Sequence, residues 1–252
     1  MDSPNTVLGK VVTVLDAFTA EDHWVSFSEL VRRTGLNKTT LHRLLAELVG
    51  TRLIDRSGAG YRLGRHLFEL GMRASVERGL IEVATPFLED LRERTRETVH
   101  LGVLEGEEVV YVAKIGGHSQ AESPSRVGGR MPLYCTAIGK AMLAHSPSEL
   151  KARTLAGPLP RRTPRTITVP GRLARQLDTI AETGVAFEYE ESAVGIVCVA
   201  AAILDADDRP VAGVSVTGPA TRLRPDAHTN QVRAAAAGIA ATLVRREKLR
   251  ND

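Results

Sequence analysis

Apolar residues near the amino end recur with helical spacing. Leu8, Val11, Val12, Leu15 and Phe18 fall at i, i+3, i+4, i+7 and i+10, which predicts a first helix over about residues 7–19. A shorter helix starts at Ser26, carries Phe27, Leu30 and Val31 on its apolar side, and ends at Gly35, a residue suited to the positive φ of a sharp turn. Asn37 stands where it can cap a third helix, in which Leu41, Leu44, Leu45, Leu48 and Val49 recur at i, i+3, i+4, i+7 and i+8. At about 100° per residue this stripe leaves Thr39, Arg43 and Ala46 facing away, with Thr40, His42 and Glu47 on its flanks. Two short helices around a glycine turn, the second presenting hydroxyls and an arginine near its start, fit a helix-turn-helix whose second helix enters a DNA major groove. Residues 53–56 and 61–63 are β-prone around Ser57-Gly58-Ala59-Gly60, a hairpin in the position of a wing. Its Arg56 and Arg62 face flanking backbone or minor groove. Arg43 can donate two hydrogen bonds to a guanine or bind phosphate, and the pattern leaves both roles open.

Further along, residues from His66 to about Glu77 read as a connecting helix weakened by Gly71 and Gly79. Thr85 is placed to cap a helix that opens with Pro86 and buries Phe87, Leu88 and Leu91. Residues 99–103 and 109–113 alternate like strands around a Glu105-Gly106-Glu107 turn. Helices follow over about 136–144 and 172–183, strands near 194–204 and 210–217, and a terminal helix over about 225–247. Strands and helices that do not alternate regularly predict an α+β fold.

The chain has 252 residues, 43% hydrophobic, 25% charged and 4% aromatic, more than one typical domain of roughly 100–200 residues. Two domains are expected: a DNA-binding winged helix-turn-helix over 1–65 and a larger domain over 79–252, joined by a linker helix over 66–78. No apolar run approaches the ~20 residues that cross a bilayer, and the start MDSPNT has neither part of a secretory signal, so no membrane partner and a cytoplasmic location are expected. Cys135 and Cys198 are too few for a disulfide framework and sit in no zinc-type Cys-x-x-Cys pair. The net charge of +3 says little as a total. Residues 32–65 carry +6 and the remainder −3, and a compact basic segment is the electrostatic footprint of phosphate-backbone binding.

The run from Ser28 to Leu45, with the Tyr61-Arg62-Leu63-Gly64 hairpin end, resembles the DNA-binding domain of the IclR family of bacterial transcriptional regulators. Residues 129–144, the Pro-rich run 159–170, and the segments 184–187, 190–191, 195–201 and 214–219 resemble further parts of that family in the same order. The resemblance implies double-stranded operator DNA as partner, with Ser28, Asn37, Lys38, Thr39, Thr40, His42, Arg43, Arg56 and Arg62 on the DNA side. It implies a GAF-like effector domain, an antiparallel sheet with helices on its faces. A linker helix taking part in dimer contacts is implied too, within a homodimer or homotetramer. Carried over by position, the effector contacts fall at Cys135, beside the pocket, at Ala137 and Ile138 on a helix start, and at Glu188 on the loop before a strand. Cys198 lies within that strand, and Ser215 and Thr217 on the last one. Ser215 and Thr217, two apart, would share one face of the sheet. Two hydroxyls, a thiol and the N–H groups of a helix start suit a carboxylate or another small polar anion. Tyr134, Cys135 and Glu188 depart from the commoner family forms, the last where aspartate is usual in some members.

The expected activity is ligand-controlled transcription, with repression the expected direction, no catalytic residues, no metal and no cofactor. Two rivals use the thiols. One is an enzyme with Cys135 or Cys198 as nucleophile and His100, His118 or His145 as base, although no nucleophile motif surrounds either cysteine. The other is a redox or metal sensor built from both thiols with His118 or Glu188, Glu190 and Glu191, whose spacing is irregular.

Overall fold

The Thr6 hydroxyl accepts the backbone N–H of Gly9 and so caps the first helix, α1 (Val7–Asp16). The structure is a computed structural model describing residues 6–73, 76–116 and 124–251. It divides into two units, Met1–Arg78 and Gly79–Asp252.

In the first unit, α2 (Phe27–Thr34) is capped by Ser26 and ends at Gly35 with φ +67°, a left-handed turn that leads directly into α3 (Lys38–Gly50). Asn37 Oδ1 accepts from the Thr40 N–H at 2.8 Å and starts α3. Strands β1 (Ile54–Ser57) and β2 (Gly60–Leu63) pair antiparallel, and Val25 bridges to Tyr61 on the far side. Leu30, Leu41, Leu44, Leu45, Leu48, Ile54 and Tyr61 close the core with Val14 and Val25. The α1 stripe departs from expectation. Val14, which is not part of it, is fully buried, while Leu8 and Val12 are 73% and 48% exposed. The helix is apolar on two faces and buries one. Helix α4 (Arg65–Gly71) is shorter than the connecting helix predicted to about residue 77, and it buries no side chain.

Helix α5 (Val76–Thr95), which enters the second unit at Gly79, runs straight through Thr85 and Pro86, so Thr85 caps nothing. Its hydroxyl donates to the Ile81 carbonyl at 2.7 Å. Pro86 removes one internal hydrogen bond, but the helix is held by Leu80, Val83, Ala84, Leu88 and Leu91, which pack on the sheet. The sheet has six antiparallel strands in the order β5-β4-β3-β8-β7-β6. These are β3 (Thr98–Glu105), β4 (Glu108–Ile115), β5 (Arg130–Pro132), β6 (Ala186–Tyr189), β7 (Ile196–Leu204) and β8 (Pro210–Pro219). Both faces are covered, which explains the nearly continuous apolar runs of β7 and β8. Val99, Leu101, Val197, Val199, Val214 and Val216 face α5 and α9 (Thr229–Asn251). Cys198 and Ala200 face the opposite layer of α6 (Ala137–His145), α7 (Ser148–Ala156) and α8 (Pro170–Thr183). Helix α7 is not apparent in the apolar pattern because only Leu150 and Thr154 turn inward. Glu188 lies inside β6, opposite Cys198, rather than on a loop, because β6 forms the edge strand that completes the sheet.

Helix α6 lies close on the sheet because Gly102 and Gly213 face each other beneath it. A Cβ on Gly213 would stand 2.8 Å from Ile138 Cγ2, and one on Gly102 would stand 3.3 Å from the same atom. Gly213→Ala is therefore expected to cost about 1–3 kcal/mol of unfolding free energy through overpacking. Combined with Ile138→Ala, it should cost less than the sum of the two single losses in urea melts. Additive losses would show that α6 is not held at this distance.

Candidate functional site

The outward face of α3 presents Lys38, Thr39, His42 and Arg43 to solvent, with Thr40 half-buried. This follows from the Leu41, Leu44, Leu45 and Leu48 stripe, which takes up the opposite face. His42 is oriented edge-on by Phe27, ring centroids 6.3 Å apart. Asn37 is committed through Oδ1 to the helix cap, and Ser28 Oγ to Ser26 Oγ at 3.0 Å. On the hairpin, the Arg56 guanidinium lies 5.7 Å from the Tyr61 ring centroid. Arg62 lies 4.7 Å from the Trp24 centroid and donates from both Nε and Nη2 to Asp55 Oδ2 at 3.0 and 2.9 Å.

The +6 of residues 32–65 is not all available. Arg32 and Arg33 pair with Glu29, and Arg33 also pairs with Asp22, two acids just ahead of that window. These guanidiniums hold the Asp22 and Glu29 carboxyls well below the usual carboxylate range, Glu29 at about 2. Lys38, Arg43 and Arg56 are in no ion pair among the described residues. The same holds for Arg52, just after α3, and Arg65 at the start of α4, so the unpaired positive charge of the window lies on and after α3, on the hairpin and at the start of α4.

In the second unit, strand register gathers polar side chains beneath the start of α6. One row across the sheet pairs Glu188 with Cys198, and Cys198 with Thr217. The next pairs Ala200 with Ser215, and Ser215 with His100. All of these except Ala200 line a cavity together with Ala137 and Ile138 of α6, Tyr111, Met131, Ser125 and Ser192. Six of the seven effector residues expected from the sequence are therefore brought together. Cys135 is not among them: it is fully buried in the core packed around the cavity, near enough for Glu188 to act on its thiol, but it does not line the cavity. His100, Tyr111, Met131, Ser125 and Ser192 are additional. His100 had a visible signal, one polar residue between Val99 and Leu101 in an apolar strand. Tyr111 had none. Ala113 pairs with Leu101 and Tyr111 with Gly102, so a bulge at Val112 puts Tyr111 on the face of Lys114, three residues away.

The cavity is nearly filled by its own lining, with free volume of about 10 Å³, room for one water-sized sphere. Its polar groups satisfy one another. His100 Nε2 shares a hydrogen bond with Ser125 Oγ at 2.7 Å, and Nδ1 lies 3.3 Å from Thr217 Oγ1 and 3.4 Å from Ser215 Oγ. Glu188 Oε1 accepts from the Ser192 N–H at 2.9 Å and from the Ser192 hydroxyl. Burial pushes the Glu188 carboxyl up, with the Ser192 hydrogen bonds opposing. Cys198 Sγ and Thr217 Oγ1 are 3.1 Å apart.

The thiols are poor nucleophiles or metal ligands, since the reactive form is the thiolate. Burial pushes Cys135 up to about 12 and Cys198 well above its ordinary value, with Glu188 adding to both. His145 lies on α6 and His118 lies outside the described residues. Among the described residues no group of three or more His, Cys, Asp or Glu side chains could hold a metal ion. None of their helices is long and apolar enough to cross a membrane.

Burial lowers the His100 imidazole from its ordinary 6.5 to about 3, with Lys114 contributing. The unfolded chain therefore takes up a proton between about pH 6.5 and 3 that the folded chain refuses, and stability is lost as pH falls through that window. His100→Gln should make the acid side of the stability curve shallower by about one proton, roughly 1.4 kcal/mol per pH unit. Equal slopes for the two proteins between pH 6 and about 4.5 would contradict a neutral buried His100.

Residues 7–58 match the family model described as the IclR helix-turn-helix domain, and residues 72–242 match that of the bacterial transcriptional regulator IclR C-terminal domain. The chain is 35% identical over 224 residues to the HTH-type transcriptional regulator KdgR of Escherichia coli, covering 88% of this chain and 84% of KdgR. It is 30% identical over 207 residues to the transcriptional repressor IclR of the same organism, covering 80% and 76% of the two chains. Among solved structures, an IclR homolog from Microbacterium hydrocarbonoxydans complexed with 4-hydroxybenzoate superposes with a TM-score of 0.88 at 31% identity. That match covers 96% of this chain and 100% of that one.

Proposed function

The chain belongs to the IclR family of bacterial transcriptional regulators, and from that premise we propose that it represses transcription from an operator under the control of a small organic acid. Its relatives are DNA-binding regulators and not enzymes. The observation that carries the reading is the cluster of Ser215, Thr217, Cys198, Glu188 and His100 beneath the α6 start, a polar cavity in the unit that matches the family's C-terminal domain. The complex of a relative with 4-hydroxybenzoate supports an organic acid as the ligand class. Repression is supported by the relative that is a transcriptional repressor.

On the DNA side, Lys38, Thr39, Thr40, His42 and Arg43 meet base edges and phosphates in the major groove, and Arg56 reaches the flanking backbone. Asn37 positions the backbone as the cap of α3, Ser28 through its hydroxyl contact with the α2 cap Ser26, and Arg62 braces the hairpin against Trp24 and Asp55. A homodimer or homotetramer is supported by apolar side chains left exposed in the first unit. These are Val7, Leu8 and Val12 on α1, and Phe68, Leu70 and Met72 on or just after α4. Residues 66–78 link the DNA-binding segment 1–65 to the effector and assembly domain 79–252. Two symmetric recognition helices require a palindromic operator, half-sites about one helical turn or a multiple apart.

Because the cavity is nearly full, a ligand enters only by displacing lining side chains from their mutual hydrogen bonds. Such a ligand distinguishes two arrangements of the protein, as control requires, since equal affinity for both would shift nothing.

With DNA from upstream of its gene, Lys38→Ala and Arg43→Ala should each weaken binding and lower the log–log salt slope by about 1. Arg32→Ala, whose cation Glu29 already neutralises, should leave the slope unchanged. Unaltered slopes for Lys38→Ala and Arg43→Ala would remove α3 from the DNA interface. Thr217→Val should raise the 4-hydroxybenzoate concentration needed to change DNA affinity at least several-fold, with ligand-free DNA affinity unchanged. An unchanged response would exclude the cavity as the effector site.

A further inference from the structure

Strand β6 borders two spaces at once. Glu188 points into the cavity under α6, while its neighbours Phe187 and Tyr189 face a separate surface groove between α8 and the start of α9. The groove measures about 620 Å³, inside the roughly 300–1,000 Å³ range of ligand clefts. Arg172 and Arg175 stand on the α8 wall and Arg233 on the α9 wall, all exposed, and no carboxylate belongs to the lining. None of the three is in an ion pair among the described residues. Three like charges around one concavity repel one another, and an anion between them relieves that repulsion.

The groove also has an apolar wall. The Phe187 and Tyr189 rings are stacked, centroids 6.1 Å apart and planes 21° from parallel. The Tyr189 hydroxyl donates to Asp226 Oδ1 at 2.9 Å, which fixes the outer ring. Guanidinium forks match the planar oxygens of carboxylate and phosphate, and ring faces accept a flat partner. Gln176, on the α8 wall, accepts at Oε1 from Lys140 Nζ at 3.0 Å. Lys140 is fully buried on α6 and paired with Glu191 at 2.6 Å, three residues beyond Glu188. Strand β6 is thus shared by groove and cavity, and the Gln176–Lys140–Glu191 contacts run from the groove wall to the segment just after Glu188.

We propose that this groove is a second ligand site, for a small anion carried on a flat ring, with its carboxylate or phosphate held by Arg172, Arg175 and Arg233 and its ring against Phe187 and Tyr189. The site is distinct from the cavity and does not depend on what the cavity binds. A ligand here acts on the cavity through β6 and the Gln176–Lys140–Glu191 contacts.

The test is calorimetric titration of the intact protein with benzoate, adenosine monophosphate and inorganic phosphate, using two variants. The cavity variant is Ser215→Ala with Thr217→Val, and the groove variant adds Arg172→Gln and Arg233→Gln to that cavity variant. At least one of the two ring-bearing probes should bind the cavity variant. The groove variant should weaken that binding at least tenfold, and inorganic phosphate should bind less tightly than the ring-bearing probe. Benzoate alone marks the site as one for carboxylates, and adenosine monophosphate alone as one for phosphates. The proposal is overturned if neither ring-bearing probe binds the cavity variant, or if the groove variant binds them as the cavity variant does. It is equally overturned if the groove variant changes the ligand-free oligomer mass or DNA affinity, which would assign the arginines to a contact between copies or to DNA phosphate.

Discussion

The register of β3, β8, β7 and β6 is the constraint on which the second unit depends. Side chains alternate between the two faces of a strand, so each pairing decides which residues meet beneath α6 and which meet α5 and α9. With His100 opposite Ser215, and Thr217 opposite Cys198 opposite Glu188, every polar side chain of these central rows falls on the α6 face. The valines between them fall on the other. A slip of one residue in β8 would turn Ser215 and Thr217 into the valine layer and bring Val214 and Val216 under α6. Both faces are buried, so such a slip would strand buried hydroxyls without partners, and the register is correspondingly well specified.

The same register sets what the cavity can do. Gly102 and Gly213 let α6 settle close enough for Ala137 and Ile138 to roof the polar rows, and the small remaining volume follows from that approach. The rows are already hydrogen-bonded among themselves, so a ligand bound there, as proposed above, would replace internal partners rather than fill a void. Its binding free energy is therefore tied to a rearrangement of the lining. That is the physical requirement for a regulator whose ligand must discriminate between states. Burial raises the pKa of both thiols, and the Glu188 carboxyl beside Cys198 raises it further, which opposes the thiolate a cysteine nucleophile needs.

The helix-turn-helix was legible because local rules suffice there. Ser26, Gly35 and Asn37 end and start helices by their own backbone chemistry, and one leucine stripe orients α3. Charge counting was less faithful. Glu29 and Asp22 lie outside the basic window in sequence but against Arg32 and Arg33 in space. The α1 stripe misled because that helix is apolar on two faces, and Pro86 because tertiary packing of α5 outweighs one lost hydrogen bond. In the cavity, period-two alternation reveals the shared face of Ser215 and Thr217 but cannot foresee a bulge, which hides Tyr111. Cys135, carried over with the family's effector positions, lies in the short turn before α6 and is buried in the core around the cavity without lining it.

The central claim is that the cavity under α6 and the DNA face of α3 are thermodynamically linked. The most direct measurement is fluorescence anisotropy of the intact protein on labelled DNA from upstream of its gene, at fixed salt, with and without saturating 4-hydroxybenzoate. The account predicts a change in DNA affinity of about fivefold or more, matched by an equal change in ligand affinity when DNA is present, as linkage requires. Ligand that binds the cavity while DNA affinity stays the same would contradict it.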